Sequence, residues 1–176
     1  MKGMGFVRDG LNVLSFWAGL ATGRGLSRPI SANVLLTNRC DSRCVTCDIW
    51  RVDDFSRELT PGEWRGVAEQ IRTLGVERVA IAGGEPLSHP HLIEILRGFK
   101  TEGLTLQMTT NGMVIGRKRR DEILATGLDR LTLSVDSHSP ALYAEIRGID
   151  ALPAVLRNLH SLLAITGRRF QVETNS

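Results

Sequence analysis

The feature that most limits the fold of this 176-residue chain is a repeated alternation of short apolar runs and helical segments. The runs have strand length and are bounded by Gly, Pro, Asn or Asp, whereas the segments between them carry helix start and stop signals. Strands are expected at 34–36, 76–82, 104–109, 131–135 and 170–173, and helices at 60–74, 90–99, 117–126 and 151–165. Parallel neighbours need a crossover connection, which here is helical. The pattern predicts an α/β fold with a parallel sheet.

One helix start is marked by a complete capping signal. Thr60 can cap the helix, Pro61 suits the first helical position, and Glu63 stands three residues after the cap. Gly75 is a helix stop. Together these signals predict a helix at 60–74.

Polar or glycine-rich motifs follow the first four strands. They are the cysteine loop after 34–36, Gly83-Gly84-Glu85-Pro86, Thr110-Asn111-Gly112, and Ser134-Val135-Asp136. The carboxyl ends of the strands share one rim in a barrel-like α/β fold, where such folds place their active sites. We therefore expect a TIM-like barrel fold with a site at that rim.

The chain has only three cysteines, Cys40, Cys44 and Cys47, in a Cys-x3-Cys-x2-Cys arrangement. Three thiolates can hold three corners of a 4Fe-4S cluster and leave the fourth iron open to a small chelator. The alternative is zinc held by the three cysteines and a histidine, either His89 or His91. An odd number of cysteines within eight residues disfavours disulfides and indicates ligands in a reducing cytosol.

The N-terminal stretch at 6–21 is apolar but interrupted by Asn12, Ser15 and Gly19, and it is too short to span a bilayer. It predicts an amphipathic helix that covers the bottom or an edge of the domain, or lies on a membrane surface or a partner. We place a helical extension at 1–28 and the core at 29–176.

The charge pattern gives no strong nucleic-acid signal. The net charge is +3, and the charged residues are scattered apart from a basic run at 117–120. That run is interpreted as a solvated helix start, with a patch for nucleic acid or an anionic substrate as the alternative.

With these motifs in place, the chain resembles the radical S-adenosylmethionine (radical SAM) superfamily from Ser31 to its end. The resemblance implies a 4Fe-4S cluster on the three cysteines, with SAM chelating the open iron. It also implies a one-electron donor such as flavodoxin or ferredoxin, and reductive cleavage of SAM to a 5'-deoxyadenosyl radical. That radical would abstract hydrogen from an unidentified substrate, for which a peptide is one candidate.

The same resemblance assigns SAM-binding positions. Gly83 and Gly84 would let the backbone approach the methionine end of SAM, with Glu85 as an anchor, because only glycine leaves room for such an approach. Ser134 would bind the ribose, and Asp136 follows it at period-two spacing.

Three further residues complete the cofactor set that the resemblance implies. Asn111 could reach SAM or substrate, and Arg147 could grip the SAM carboxylate bidentately. Thr46 occupies a position that is often aromatic and contacts adenine, which leaves adenine stacking to another residue such as Trp50.

Two departures from the family pattern narrow the expected function. The related GTP cyclases place arginines where this chain has Asn33 and Ala80, which argues against that substrate. The family core usually has six strand-helix units, and the sequence stops early in the fifth, so we expect a partial barrel. A non-catalytic metal-binding module, or a degenerate fragment that makes no radical, remains the alternative.

Overall fold

The computed structural model describes the backbone at 2–164 and 171–175, and side chains at 10–164 and 171–174. The strands in this part of the chain are β1 Ser31–Leu35, β2 Arg78–Ala82, β3 Thr105–Thr110, β4 Arg130–Ser134 and β5 Gln171–Asn175. The α-helices are α1 Lys2–Thr22, α2 Pro61–Thr73, α3 Leu92–Thr101, α4 Arg117–Leu124, α5 Pro140–Arg147 and α6 Leu152–Leu163.

The described strands form one sheet in the order β1-β2-β3-β4-β5, and every neighbouring pair is parallel. In register, Asn33 pairs with Ala80, and Met108 pairs with Leu131. Because the strands are parallel and sequential, all their carboxyl ends lie at one rim. The α/β partial barrel expected from the alternation is confirmed.

The core lies between the sheet and its covering helices. Leu106 and Met108 of β3 alternate with more exposed neighbours, whereas Leu131 and Leu133 of β4 belong to a continuously buried run. A central strand covered on both faces has this pattern. Phe99 of α3 is 1% exposed, and burial of such a side chain contributes about 1.5–3 kcal/mol.

The capping signal before α2 is realised in full. The Thr60 hydroxyl accepts from the Glu63 backbone N–H, and the Glu63 carboxylate accepts from the Thr60 N–H at 2.7 Å. Two amide donors at the helix start are thereby satisfied. The helix begins at Pro61, as predicted.

The structure also contains a helix that the sequence did not predict. Helix α5 follows Ser139, begins at Pro140, and ends at Gly148, which has a left-handed φ of 65°. It has eight residues, too few to show a clear helical period. The predicted limits Ile165 and Phe170, and the last residue Ser176, lie outside the described residues.

Helix α1 forms as expected and lies at the amino ends of the strands. It shares a cavity with Ile30, Arg78 and Thr105, which lie before or at the starts of β1, β2 and β3. No helix in the described part of the chain is long and apolar enough to cross a membrane.

The basic run is only partly solvated. Arg119 donates to the Leu87 carbonyl at 3.3 Å and pairs with Glu122, whereas Arg120 donates to the Ser161 hydroxyl at 2.6 Å. Arg117 and Lys118 are exposed. Half of the run therefore anchors α4 to its neighbours, which the charge pattern did not indicate.

Candidate functional site

The loop that carries the cysteines begins at the end of β1 and is bound directly to the turn after β2. The Gly84 N–H donates to the Thr37 carbonyl at 2.7 Å, and the Glu85 N–H donates to the Arg39 carbonyl at 2.6 Å. Arg39 immediately precedes Cys40. The glycine turn therefore determines where the cysteine loop starts.

Both glycines of the turn are required by this close approach. A Cβ on Gly84 would lie 2.3 Å from the Arg39 carbonyl oxygen, and one on Gly83 would lie 2.5 Å from that of Thr37. Gly83 also has a φ of 129°, in the region that favours glycine. In this structure the close approach of both glycines is to the cysteine loop, and their approach to SAM stays a prediction.

Glu85 is fully buried and joins two of the turns. Its carboxylate accepts from the Thr110 hydroxyl at 2.7 Å, the Asn111 N–H at 2.7 Å and the Leu87 N–H at 2.9 Å. Burial raises the pKa of Glu85 and the nearby Asp41 charge acts in the same direction, while the three hydrogen bonds act against them. The buried Glu85 carboxylate therefore links the turn after β2 to the turn after β3 through hydrogen bonds.

Asn111 connects the same hydrogen-bond network to the cysteine loop. Its amide donates to the Asp41 carboxylate at 2.6 Å and to the Ser42 hydroxyl at 3.3 Å, while its carbonyl oxygen accepts from the Met113 N–H at 3.0 Å. Asn111 is 6% exposed. Its side chain is therefore committed to holding the segment next to Cys40.

The far side of the cysteine loop is held by the end of α5. The Arg43 N–H donates to the Arg147 carbonyl and the Val45 N–H to the Ile146 carbonyl, both at 2.9 Å. A Cβ on Gly148 would lie 2.5 Å from the Arg43 carbonyl oxygen. The unpredicted helix is thus part of the site.

Arg147 also contributes its side chain. Its guanidinium forms an ion pair with Asp136 and lies 3.7 Å from Cys44 Sγ. Burial acts against the charge, but Asp136 and Cys44 together raise the pKa of Arg147. The structure therefore places a permanent cation beside one of the three sulfurs, with the Asp136 carboxylate as its partner.

The cysteines are free thiols that differ in exposure. Cys40 and Cys44 are half-buried and Cys47 is exposed. Burial raises the pKa of the Cys40 thiol, and the charges of Asp41, Glu85 and Cys44 raise it further. Among the residues described, no three His, Cys, Asp or Glu side chains are arranged to hold a metal ion.

The chemistry of this donor set still fits an iron-sulfur cluster. Three free thiols stand within eight residues of one loop, and that loop is held on both sides by backbone hydrogen bonds. The Arg147 cation suits the negative charge of a thiolate-ligated cluster.

The other expected site residues lie at the same rim or on the loop. Ser134 is the last residue of β4 and is nearly buried, whereas Thr46 is exposed on the loop. Trp50 donates from its ring nitrogen to the Cys44 carbonyl at 3.4 Å, so its indole lies against the loop.

His89 has a local structural contact. Its ring Nδ1 accepts from the His91 backbone N–H at 3.2 Å, next to the start of α3. Burial lowers the pKa of His89. The His89 ring therefore contacts the backbone just before α3.

Sequence reasoning missed a second set of contacts around the loop. The Glu58 carboxylate accepts from the Thr37 hydroxyl and from Arg39 Nε at 3.0 Å, and the Arg39 guanidinium stacks 4.2 Å from the Phe55 ring centre. The only sequence signal was a pair of opposite charges separated by 19 residues.

Comparison with known proteins identifies the class to which this geometry belongs. Residues 34–174 match the model of the radical SAM superfamily. A probable GTP 3',8-cyclase from Thermococcus kodakarensis is 33% identical over 134 residues, covering 75% of this chain and 43% of that protein. A PqqA peptide cyclase from Ruegeria pomeroyi is 33% identical over 121 residues, covering 68% of this chain and 32% of the relative.

Solved structures agree on the fold. Streptococcus suis SuiB bound to the precursor peptide SuiA superposes with a TM-score of 0.73 at 20% identity, covering 88% of this chain and 35% of SuiB. Methylornithine synthase (PylB) gives a TM-score of 0.67 at 17% identity, covering 84% of this chain and 44% of that structure.

The chain belongs to the radical SAM superfamily. Membership implies SAM binding and radical chemistry as the functions of the class. The chain spans 43% of the length of the GTP cyclase relative and 32% of that of the peptide cyclase.

Proposed function

We propose that this chain is the cluster- and SAM-binding part of a radical SAM enzyme, with Cys40, Cys44 and Cys47 as ligands of a 4Fe-4S cluster. When bound, the cluster and SAM supply one-electron reductive cleavage of the sulfonium bond, which begins hydrogen abstraction from substrate. A flavodoxin or ferredoxin would donate the electron in a reducing, cytoplasmic compartment.

One observation carries the proposal. The cysteine loop, the Gly-Gly-Glu-Pro turn and the turn after β3 form one hydrogen-bonded assembly, joined by the Glu85 N–H on the Arg39 carbonyl and by Asn111 on Asp41. A zinc-binding knuckle requires no such link to the ends of neighbouring strands, because it is closed by its own ligands.

The remaining residues have distinct proposed roles. Gly83, Gly84 and Glu85 hold the turn that faces the methionine end of SAM, and Ser134 binds the ribose. Arg147 acts as the cation that stabilises the Cys44 thiolate, and its pairing with Asp136 fixes the guanidinium beside the sulfur.

Three further residues complete the proposed site. Asp136 and Asn111 organise the pocket wall, and Thr46 lies on the adenine side with Trp50. Since Trp50 is hydrogen-bonded to the Cys44 carbonyl, its ring stays close to the cysteine loop.

We infer a peptide, rather than GTP, as the substrate class. Asn33 and Ala80 are direct partners across β1 and β2, so two neighbouring positions lack the arginines of the GTP cyclases and offer no charge to a triphosphate. The PqqA peptide cyclase is as similar to this chain as the GTP cyclase relative, at 33% identity, so the choice depends on Asn33 and Ala80. Micromolar binding of GTP by the reconstituted chain would overturn the inference, whereas no detectable binding is expected.

Anaerobic reconstitution with iron and sulfide tests the central proposal. We expect about four irons per chain, an electron-spin signal that changes when SAM is added, and 5'-deoxyadenosine after reduction. Cys44→Ala should abolish the SAM-dependent signal, while the matched loop variant Ser56→Ala should retain it.

Two outcomes would contradict the proposal. Equimolar tetrahedral zinc that is lost in His89→Ala and is indifferent to SAM would assign a structural metal site instead. A SAM-responsive cluster that yields no 5'-deoxyadenosine would identify a fragment that binds the cofactors without making the radical.

A further inference from the structure

Helix α1 turns its small and polar residues toward the protein. The Asn12 side chain donates to the Arg28 carbonyl at 3.0 Å and accepts from the Arg28 N–H at 2.7 Å. A Cβ on Gly19 would lie 2.6 Å from the Arg24 carbonyl oxygen. These contacts fix which face of α1 points outward, and they do so through hydrogen bonds and close backbone approach.

The outward face of α1 is apolar. Its side chains are between 49% and 66% exposed and comprise Val13, Leu14, Phe16, Trp17 and Leu20. Val13, Leu14 and Trp17 lie on the side of the helix away from Asn12, whereas Phe16 lies one turn beyond Asn12 and borders the cavity that both residues line. A helix on the surface of a water-facing domain normally has the reverse arrangement, with its apolar stripe on the core.

Basic residues adjoin this apolar face. Val13 and Phe16 share a cavity of about 400 Å³ with Ile30, Arg28 and Arg78, and Ile30 is 61% exposed. Arg28 and Arg78 also line a neighbouring cavity of about 680 Å³ together with Arg72 and a single acidic residue, Glu77. Within the described residues, none of the three arginines forms an ion pair with a carboxylate.

We propose that this basal surface, made of the outward face of α1 with Ile30, Arg28, Arg72 and Arg78, docks on a bilayer that contains anionic lipids. Apolar and aromatic side chains would enter the boundary between headgroups and acyl chains, and the guanidinium groups would meet lipid phosphates. A surface that combines exposed aromatic side chains with arginines that form no ion pair among the described residues matches both the apolar and the phosphate layer of such a bilayer.

The position of the surface permits docking without blocking the site. Ile30, Arg78 and Thr105 mark the amino ends of the strands, whereas the cysteine loop and the glycine turn lie at the carboxyl ends. A bilayer under α1 therefore leaves the rim open to SAM and substrate. The residues of the basal surface lie outside the cysteine loop, so membrane docking can be tested independently of the proposed catalysis.

Vesicle sedimentation of the 176-residue chain, with and without iron-sulfur reconstitution, tests the proposal. We expect binding to phosphatidylcholine vesicles that contain phosphatidylglycerol, little binding to phosphatidylcholine alone, and release by added salt. The double variant Arg28→Gln, Arg78→Gln should weaken binding on the order of 10-fold or more. Leu14→Ser with Trp17→Ser should abolish it.

Matched controls separate docking from general effects of charge and apolar exposure. Arg97→Gln with Leu142→Ser changes an exposed arginine and an exposed leucine on α3 and α5, and binding should be unchanged. A blue shift of tryptophan fluorescence on vesicle addition should disappear in Trp17→Phe while sedimentation persists. That readout reports insertion of α1 and does not depend on stability.

Three results would overturn the proposal. One is absence of sedimentation with anionic vesicles, and another is equal sedimentation of the wild type and the Leu14→Ser, Trp17→Ser variant. The third is a dimer in sedimentation velocity that the same variant dissociates, with no lipid binding by the wild type. That result would assign the basal surface to a second copy of the chain.

Discussion

The two ends of the sheet are built on opposite principles. At the carboxyl rim, polar groups such as Glu85 and Asn111 are buried, and each hydrogen-bonds to more than one element. At the amino end, apolar side chains such as Leu14 and Trp17 are exposed, and Asn12 holds the helix to the segment that precedes β1. A buried polar network favours a single conformation, because a buried polar group without a hydrogen-bond partner costs free energy. An exposed apolar face does not constrain the conformation of its own chain in this way. The difference indicates that the carboxyl rim holds the cysteine loop in a defined position, whereas the basal surface is free to contact a partner.

The largest expected effect is at the glycine turn. Gly84→Ala would place a Cβ 2.3 Å from the Arg39 carbonyl oxygen, and the contacted atom is backbone that cannot rotate away. We expect a loss of about 3 kcal/mol in the free energy of unfolding, measured by denaturant titration.

The matched control for that variant is Gly66→Ala. Gly66 lies inside α2, and an added Cβ meets nothing within 4 Å. This variant should gain about 0.5–1 kcal/mol because alanine favours the helix. Similar losses in both variants would refute the role of close approach at the rim.

The next effect concerns the buried carboxyl. Glu85→Gln replaces an acceptor oxygen by an amide donor that faces an N–H or O–H group, and should cost about 1–3 kcal/mol near neutral pH. Denaturant titrations across pH measure the loss, with the exposed Glu94→Gln as control.

The pH dependence of Glu85 has a defined sign. Because burial raises its pKa in the folded state, its contribution to stability is complete below the ordinary Glu range and is lost as pH rises through the raised value. The cost of Glu85→Gln should therefore shrink as the pH rises. A cost that grows with pH would contradict the burial argument.

A smaller effect is expected where α1 is attached. Asn12→Ala removes two hydrogen bonds to the Arg28 backbone, and local opening there should become easier by about 1 kcal/mol, or roughly fivefold in amide exchange. Hydrogen exchange at the Arg28 amide measures this change. Equal acceleration at the Gly84 amide would show that the rim and the base are not separate units.

The smallest effect should come from the outward face of α1. Leu14→Ser with Trp17→Ser should change the free energy of unfolding by no more than about 0.5 kcal/mol, because both side chains are already more than 60% exposed. For contrast, Leu96→Ala in the core should lose about 2–5 kcal/mol. A large loss from the α1 variant would mean that this face packs against the chain itself.

The strands could be predicted from the sequence because each is a local apolar run with turn residues at its ends. The first four begin and end within a few residues of their predicted positions, and the cap at Thr60 is realised as predicted. The convergence of Gly84 and Asn111 beside the cysteine loop followed from parallel strand order alone. These features depend on interactions that are local in sequence or fixed by topology.

The contacts made by the site residues could not be predicted in the same way. The resemblance assigns Arg147 to the SAM carboxylate, whereas its contacts within the chain are with Asp136 and Cys44, the latter 103 residues away. Similarly, the resemblance assigns Gly84 to the approach of SAM, whereas its close contact within the chain is with the Arg39 backbone. Pairings of this kind depend on where distant segments meet, and a single sequence carries no local signal for them.

The backbone hydrogen bonds between the cysteine loop and the end of α5 determine when during synthesis the loop can take its shape. The loop at 40–47 leaves the ribosome early, but its backbone partners at Ile146 and Arg147 are synthesised about a hundred residues later. Contacts between distant segments form only when both are available, and domains fold as units during synthesis. The cysteines therefore wait on the nascent chain as unclamped thiols until α5 emerges. The cysteine loop accordingly takes its final shape late in the biogenesis of this protein.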